Sequence, residues 1–246
     1  MSTIDITNTQ GAEMISYPVY PQAWDTAHDS TNGGGLGSSN LSGTSMTVGA
    51  GYSGFGGGTY YVNRAFLDFD LSDIPIGSVI TSAVLRLKGA SFTQSSPSDT
   101  IATADIILIE GNFGDAGFST GDIDAFTGFA SGWDENDVTT YSAEYEAGNW
   151  ADDAYNEISI ISAGMTALIN NHTNGDRFKV VVMEHTHDYL DTSSGLDASN
   201  DRFGLNFNIN GSSSDPPILK VTYTPPGGVD LTSGTVKIKS GKFIIK

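Results

Sequence analysis

Apolar and polar positions alternate most regularly between residues 64 and 88, in RAFLDFDLSDIPIGSVITSAVLRLK. Ala65, Leu67, Phe69 and Leu71 fall on one side of an extended chain, and Phe66, Asp68 and Asp70 on the other. That period of two predicts a strand with one buried face. A turn follows at Asp73-Ile74-Pro75-Ile76-Gly77, where Pro75 fixes φ and Gly77 is permissive. Beyond it Val84, Leu85 and Leu87 sit among Arg86 and Lys88 and predict a second strand. Further strands are predicted over residues 13–20, where Pro18 favours an edge, near 45–48, and over 102–110, 178–184, 202–209 and 218–224. Ile4 and Ile6 alternate with Asp5 and Thr7 as a short strand or an arm. Helical spacing occurs at Ile161, Met165, Leu168 and Ile169, which predicts one short helix over 162–171 with Ser162 as its cap. The Gly-, Ser-, Asn- and Thr-rich stretch 23–58 reads as surface loops around one short strand, and 111–133 and 185–201 also read as loops.

The fold class that follows is all-β, an antiparallel β-sandwich with one short helix. The segment from Arg64 to Leu87 resembles the signature of the DNRLRE-domain family: an Arg, an apolar-Asp strand ending F-D-L-S, an I-P-x-G turn, then I-x-S-A-x-L-x-L. Asp215-Pro216-Pro217-Ile218-Leu219-Lys220-Val221-Thr222-Tyr223 is similar to that family's closing strand. The resemblance covers roughly residues 12–225 and implies a jelly-roll fold akin to carbohydrate-binding modules, with binding or structural roles rather than catalysis. It divides the chain into an arm at 1–11, a sandwich at 12–225 and a C-terminal strand extension at 226–246.

Composition narrows the partners. The 246 residues include 29 acidic and 11 basic side chains, for a formal charge of −18. Such a surface repels nucleic acid and anionic lipid, so neither is expected as a partner. No apolar run approaches the ~18 residues of a membrane span. The first ten residues have no basic region or apolar core, which argues against a signal peptide. Cysteine is absent, so stability rests on burial rather than disulfides.

The last stretch differs in kind. After Pro225-Pro226-Gly227-Gly228 it carries Lys237, Lys239, Lys242 and Lys246, and Val236 and Ile238 alternate with the first two lysines. It reads as two short strands that dock on their own domain or add to a partner's sheet. Lys237, Lys239 and Lys242 are the candidate assembly residues, with the same chain or another structural protein as partner.

Candidate chemistry is sparse. His185 and His187 would share a face on a strand, a spacing suited to zinc, but no third ligand is placed by sequence. Jelly-roll modules of the kind resembled commonly hold a loop calcium, and Asp134, Asp137 and Asp25 are the candidate ligands, against solvated acidic loops as the plain reading. Glycan recognition needs flat aromatic faces with polar groups around them. Trp150, Trp133, Tyr145 and Tyr189 are the candidates, each equally readable as a plug in the core. No ordered catalytic set can be named.

The expectation is a non-enzymatic surface structural or adhesion protein, displayed on a virion or outside the cell. A phage head decoration or fibre protein that binds cell-surface glycans fits best. The alternative is a carbohydrate-binding module from a secreted polysaccharide-degrading enzyme.

Overall fold

The computed structural model describes residues 1–15, 23–30, 45–54, 58–94, 105–114, 122–128, 133, 134, 136–196, 202–208 and 215–226. Among the described residues nine strands carry the fold: β1 (Ser2–Ile15), β2 (Ser45–Ser53), β3 (Thr59–Phe69), β4 (Val79–Gln94), β5 (Ile106–Glu110), β6 (Tyr155–Ser159), β7 (Phe178–Glu184), β8 (Arg202–Asn208) and β9 (Ile218–Thr224). A short helix α1 (Trp24–His28) follows β1, and α2 (Ser162–Asn174) lies between β6 and β7. All strand pairs are antiparallel, and the fold is the expected antiparallel β-sandwich.

Two long strands turn the corners between the layers. The first half of β1 pairs with β9, and its second half pairs with β3 after an irregularity between Asn8 and Gln10. Likewise β4 pairs with β9 and β6 early and with β8 late, with an irregularity between Gly89 and Ser91. A bulge bends and twists a strand, which is how one strand serves two sheets. One layer is therefore β6-β4-β9-β1 and the other contains β5-β7-β3-β2-β8. The first residues, readable as an arm, are the start of β1 within the sheet.

The alternation around residues 64–71 was only half of the story. Ala65, Leu67 and Phe69 enter the main core between the layers, as expected. The opposite side of β3 is buried too, not solvated. Phe66 joins Ile107, Ile109, Phe113, Ile123, Phe126, Val181 and Met183 in a second core under the loops. Asp68 on that side is 1% exposed and is held by Arg177, whose Nε lies 2.7 Å from each carboxylate oxygen. A strand covered on both faces by apolar loops keeps an alternating sequence only where a charge has a partner to receive it.

The turn after β3 is as predicted: the Ser78 N–H donates to Pro75 O at 3.0 Å, and Gly77 has φ +82°, which favours glycine. The helix differs. α2 reaches Asn174, its N-cap is Ile161 with no side-chain cap bond, and its buried residues are Gly164 and Leu168. Ile161 and Ile169, expected to face the core, are 36% and 40% exposed. A glycine at 164 lets the helix lie close on Tyr141, which turns the predicted apolar stripe partly outward. Within the loop-like stretch 23–58, α1 was not anticipated, because a five-residue helix has no periodicity to read. The C-terminal extension, with Lys237, Lys239 and Lys242, lies outside the described residues.

Candidate functional site

Chemistry-bearing side chains gather where β7 ends. Glu184 closes that strand and its carboxylate accepts backbone N–H groups of Thr186 (2.9 Å), His187 (2.7 Å) and Asp188 (3.0 Å). Those bonds wind His185–Tyr189 into a single π-helical turn. The turn drives Asp188 inward to Arg64 of β3, both with no exposure. Arg64 Nη2 lies 2.6 Å from Asp188 Oδ1 and Nε lies 2.9 Å from Oδ2, a two-pronged pair. Two further donors go to Ile123 O at 3.1 Å and His28 O at 3.0 Å. The ring of Phe126 lies 5.0 Å from the guanidinium carbon.

His28 of α1 completes the cluster. Its Nε2 lies 2.7 Å from Asp188 O, and its Nδ1 lies 2.7 Å from Asp29 Oδ1 and 3.4 Å from Asp191 Oδ1. Trp24 Nε1 donates to Asp191 Oδ1 at 2.8 Å, and its ring stacks on His28. One buried network thus ties α1, β3, the loop at Ile123 and the π-turn together. Its charges are matched inside the protein, as buried ions must be. The sequence offers Arg64 as the start of the signature and Asp188 beside His185 and His187, but not their meeting with each other, with Glu184 or with His28, because these groups come together only in the folded chain. The one signal available was Arg64 itself, a cation inside an apolar strand.

The paired histidines do not share a face. The π-turn sends His187 into the interior against Glu184, with Nδ1 3.3 Å from Oε1. His185 instead stacks on Tyr189 at 5.3 Å and places Nδ1 3.4 Å from Glu144 Oε1. The calcium candidates Asp134, Asp137 and Asp25 are all exposed. Asp134 Oδ1 is already engaged by the Asn136 backbone N–H and Nδ2, both at 2.9 Å, and those bonds lower its pKa. Among the described residues no group of three or more His, Asp or Glu is placed to hold a metal, so these three do not fit a calcium ion as a set.

The four aromatic candidates fall into two separate pairs. Trp133 stands edge-on to Tyr189 at 5.8 Å and also meets His28 at 5.2 Å and Phe126 at 5.9 Å. Both Trp133 and Tyr189 pack on the second core, so this pair plugs the loop end. Tyr145 and Trp150 form the other pair, 6.2 Å apart at 84°, each half-buried and packed on the main core, with the Trp150 Nε1 turned inside. The Tyr145 hydroxyl lies 3.2 Å from Asn149 O, and Trp150 stands over Gly89 at the corner of β4. Asn156, 3% exposed, pins the adjoining loop: its Oδ1 accepts from Ala151 N at 2.8 Å, and its Nδ2 donates to Ala151 O at 3.0 Å.

Next to this second pair, Asp105 Oδ1 accepts the Ala147 N–H at 2.6 Å. The Glu144 carboxyl is hydrogen-bonded to Asp105, and that bond, with partial burial, raises its pKa against the opposing pull of His185. Exposed Glu144, Glu146 and Asn149 surround the aromatic pair with hydrogen-bonding groups. Elsewhere, a cleft of about 220 Å³ is lined by Glu110, Tyr141, Asn171, Asp176, Arg177 and Lys179. Its Arg177 is committed to Asp68, and its Lys179 donates to Phe113 O.

No family model matches the chain, and no curated protein matches it.

Proposed function

We propose that this chain is a non-enzymatic surface structural and adhesion protein that binds glycans at Tyr145 and Trp150. The observation that carries the reading is that pair: two half-buried aromatic rings, seated on the main core and set edge to face on a pinned loop, beside side chains able to exchange hydrogen bonds with sugar hydroxyls. The internal commitment of Arg64, Asp188, Glu184 and His187 supports a structural role for the buried ionic groups rather than a catalytic one. A charge of −18 favours neutral sugars over polyanionic ones. The wider reading is a virion component, a phage head decoration or fibre protein, whose C-terminal lysines take part in assembly.

A broad glycan array with the full chain, with and without calcium, tests this. Binding that Trp150→Ala abolishes in a still-folded protein supports the proposal. Binding that survives Trp150→Ala removes the site, and silence across the array leaves only a structural role. Robust turnover of any polysaccharide overturns the non-enzymatic reading.

A further inference from the structure

In the layer β6-β4-β9-β1 the two outer strands are β6 and the first half of β1. These edges are not alike. The β6 edge carries Glu157 and follows the acidic turn Asp152-Asp153, and charge of that kind discourages strand pairing. In the other layer, the outer side of β5 is occupied by bridges from Ile106 to Tyr145 and from Ile109 to Thr140. The first half of β1 has no such guard among the described residues. It reads Ser2-Thr3-Ile4-Asp5-Ile6-Thr7, rich in β-branched residues, without proline and with a single charge.

The backbone direction of that edge is fixed. The Asn8 N–H donates to the O of Pro217, the residue before β9, at 3.1 Å. Successive residues of a strand point their N–H and C=O groups to opposite sides. The even residues of this half therefore serve β9, and the backbone groups of Thr3, Asp5 and Thr7 face away from it. The side chains of those three are exposed on the outer face of the sheet.

Charge is compatible with contact at this edge. The chain as a whole is strongly acidic, so most surfaces of two copies repel. Asp5, the single charge on this edge, is locally balanced: Arg86 Nη1, which shares its guanidinium with Glu157 of β6, lies 3.6 Å from its Oδ2, and Lys220 is its direct cross-strand neighbour on β9.

We propose that a second copy of this chain pairs its β1 with this edge, antiparallel about a twofold axis, so that the layer runs on unbroken from one copy into the next. Such an isologous contact is self-complementary. The pairing sets Ile4 opposite Ile4 of the second copy and Asp5 opposite Thr3. A register shifted by one pair would set Asp5 against Asp5, and like charges directly opposite are destabilising. In the pairing proposed, Ile4 sits at the axis in a non-hydrogen-bonded position, where Cα atoms approach to about 4.5 Å.

Sedimentation of the full chain measures the assembly, with two variants as probes. Thr3→Pro removes an N–H that only the second copy uses and leaves the β1–β9 ladder complete. It is expected to convert the dimer to monomer with the thermal midpoint of the isolated fold retained. Ile4→Cys introduces the sole thiol of the chain, since none is native. Mild oxidation is expected to give a covalent dimer in high yield, the reach at the axis being within disulfide range. A wild-type chain that stays monomeric at high micromolar concentration overturns the proposal. So does a dimer that persists in Thr3→Pro or fails to crosslink through Cys at position 4, because its contact surface then lies elsewhere.

Discussion

Arg64 and Asp188, 124 positions apart in the chain, meet as a fully buried two-pronged ion pair with neither side chain exposed. The pair stands at the junction of β3, α1 and the π-turn, and Arg64 also holds the backbone oxygens of His28 and Ile123. Removing one partner strands the other charge in the interior. Arg64→Met and Asp188→Leu are each expected to cost about 3–5 kcal/mol, whereas the double variant loses less than their sum because no lone buried charge remains. Urea denaturation of the three variants measures this coupling. Additive losses would show that the two groups contribute independently.

Gly164 sets two effects against each other. Alanine in a helix interior is favoured over glycine by about 0.5–1 kcal/mol. Here a Cβ would come within 2.6 Å of Ile160 Cγ2 and 3.0 Å of Tyr141 Cβ, in a region where both neighbours are packed. Overpacking of that sort costs roughly 1–3 kcal/mol. The steric effect is larger, so Gly164→Ala is expected to lower the thermal midpoint. A rise in midpoint would mean that α2 slides away from Tyr141 at little cost.

How much of this was legible in the sequence follows from the range of each interaction. The strands at 178–184 and 218–224, the Pro75-Gly77 turn and the existence of α2 rest on local pattern and are found where the pattern puts them. The second core was hidden because Phe66 and Asp68 look like the outer face of a half-buried strand until Phe113, Ile123 and Phe126 fold over them. His185 and His187 share a face only in an extended chain. Glu184, by capping three consecutive N–H groups, replaces that extension with a π-turn and separates them. Aromatic composition pointed to four candidate rings, but sequence could not sort them. Trp133 and Tyr189 pack on the second core, and Tyr145 and Trp150 pair on the main core near the corner of β4.

Asn156 links that corner to the proposed glycan platform. Its amide satisfies both the N–H and the C=O of Ala151, the residue after Trp150. Asn156→Ala leaves these groups without their partner, at an expected cost of about 1–3 kcal/mol. The freed loop is also expected to expose the Trp150 indole, seen as a red shift in tryptophan emission before global unfolding. Trp150→Phe in the same background separates this signal from Trp24 and Trp133. An unshifted spectrum would place the control of Trp150 in its contact with Tyr145 instead.

Two carboxyls near the surface predict opposite responses to pH. The Ser72 backbone N–H at 2.9 Å, aided by the Ser72 side chain and Arg177, lowers the Asp70 pKa from 3.8. Its contribution to stability is therefore present above that ordinary value and is lost as pH falls through the lowered one. For Glu144 the bond to Asp105, burial and the nearby Asp105 and Glu146 charges raise the pKa above 4.5, while His185 pulls it down. Its contribution is full below pH 4.5 and disappears as pH rises through the raised value. Glu144→Gln keeps a neutral hydrogen-bonding side chain at every pH. The variant is expected to gain stability relative to wild type on passing from pH 4 to pH 7, measured as the difference in thermal midpoint at a series of pH values. A difference that stays constant over this range would show that the Glu144 carboxyl is not raised in the folded chain. Asp70→Asn gives the complementary curve, its deficit relative to wild type shrinking only as pH falls below the ordinary carboxylate range, which separates the Glu144 effect from a general acid response.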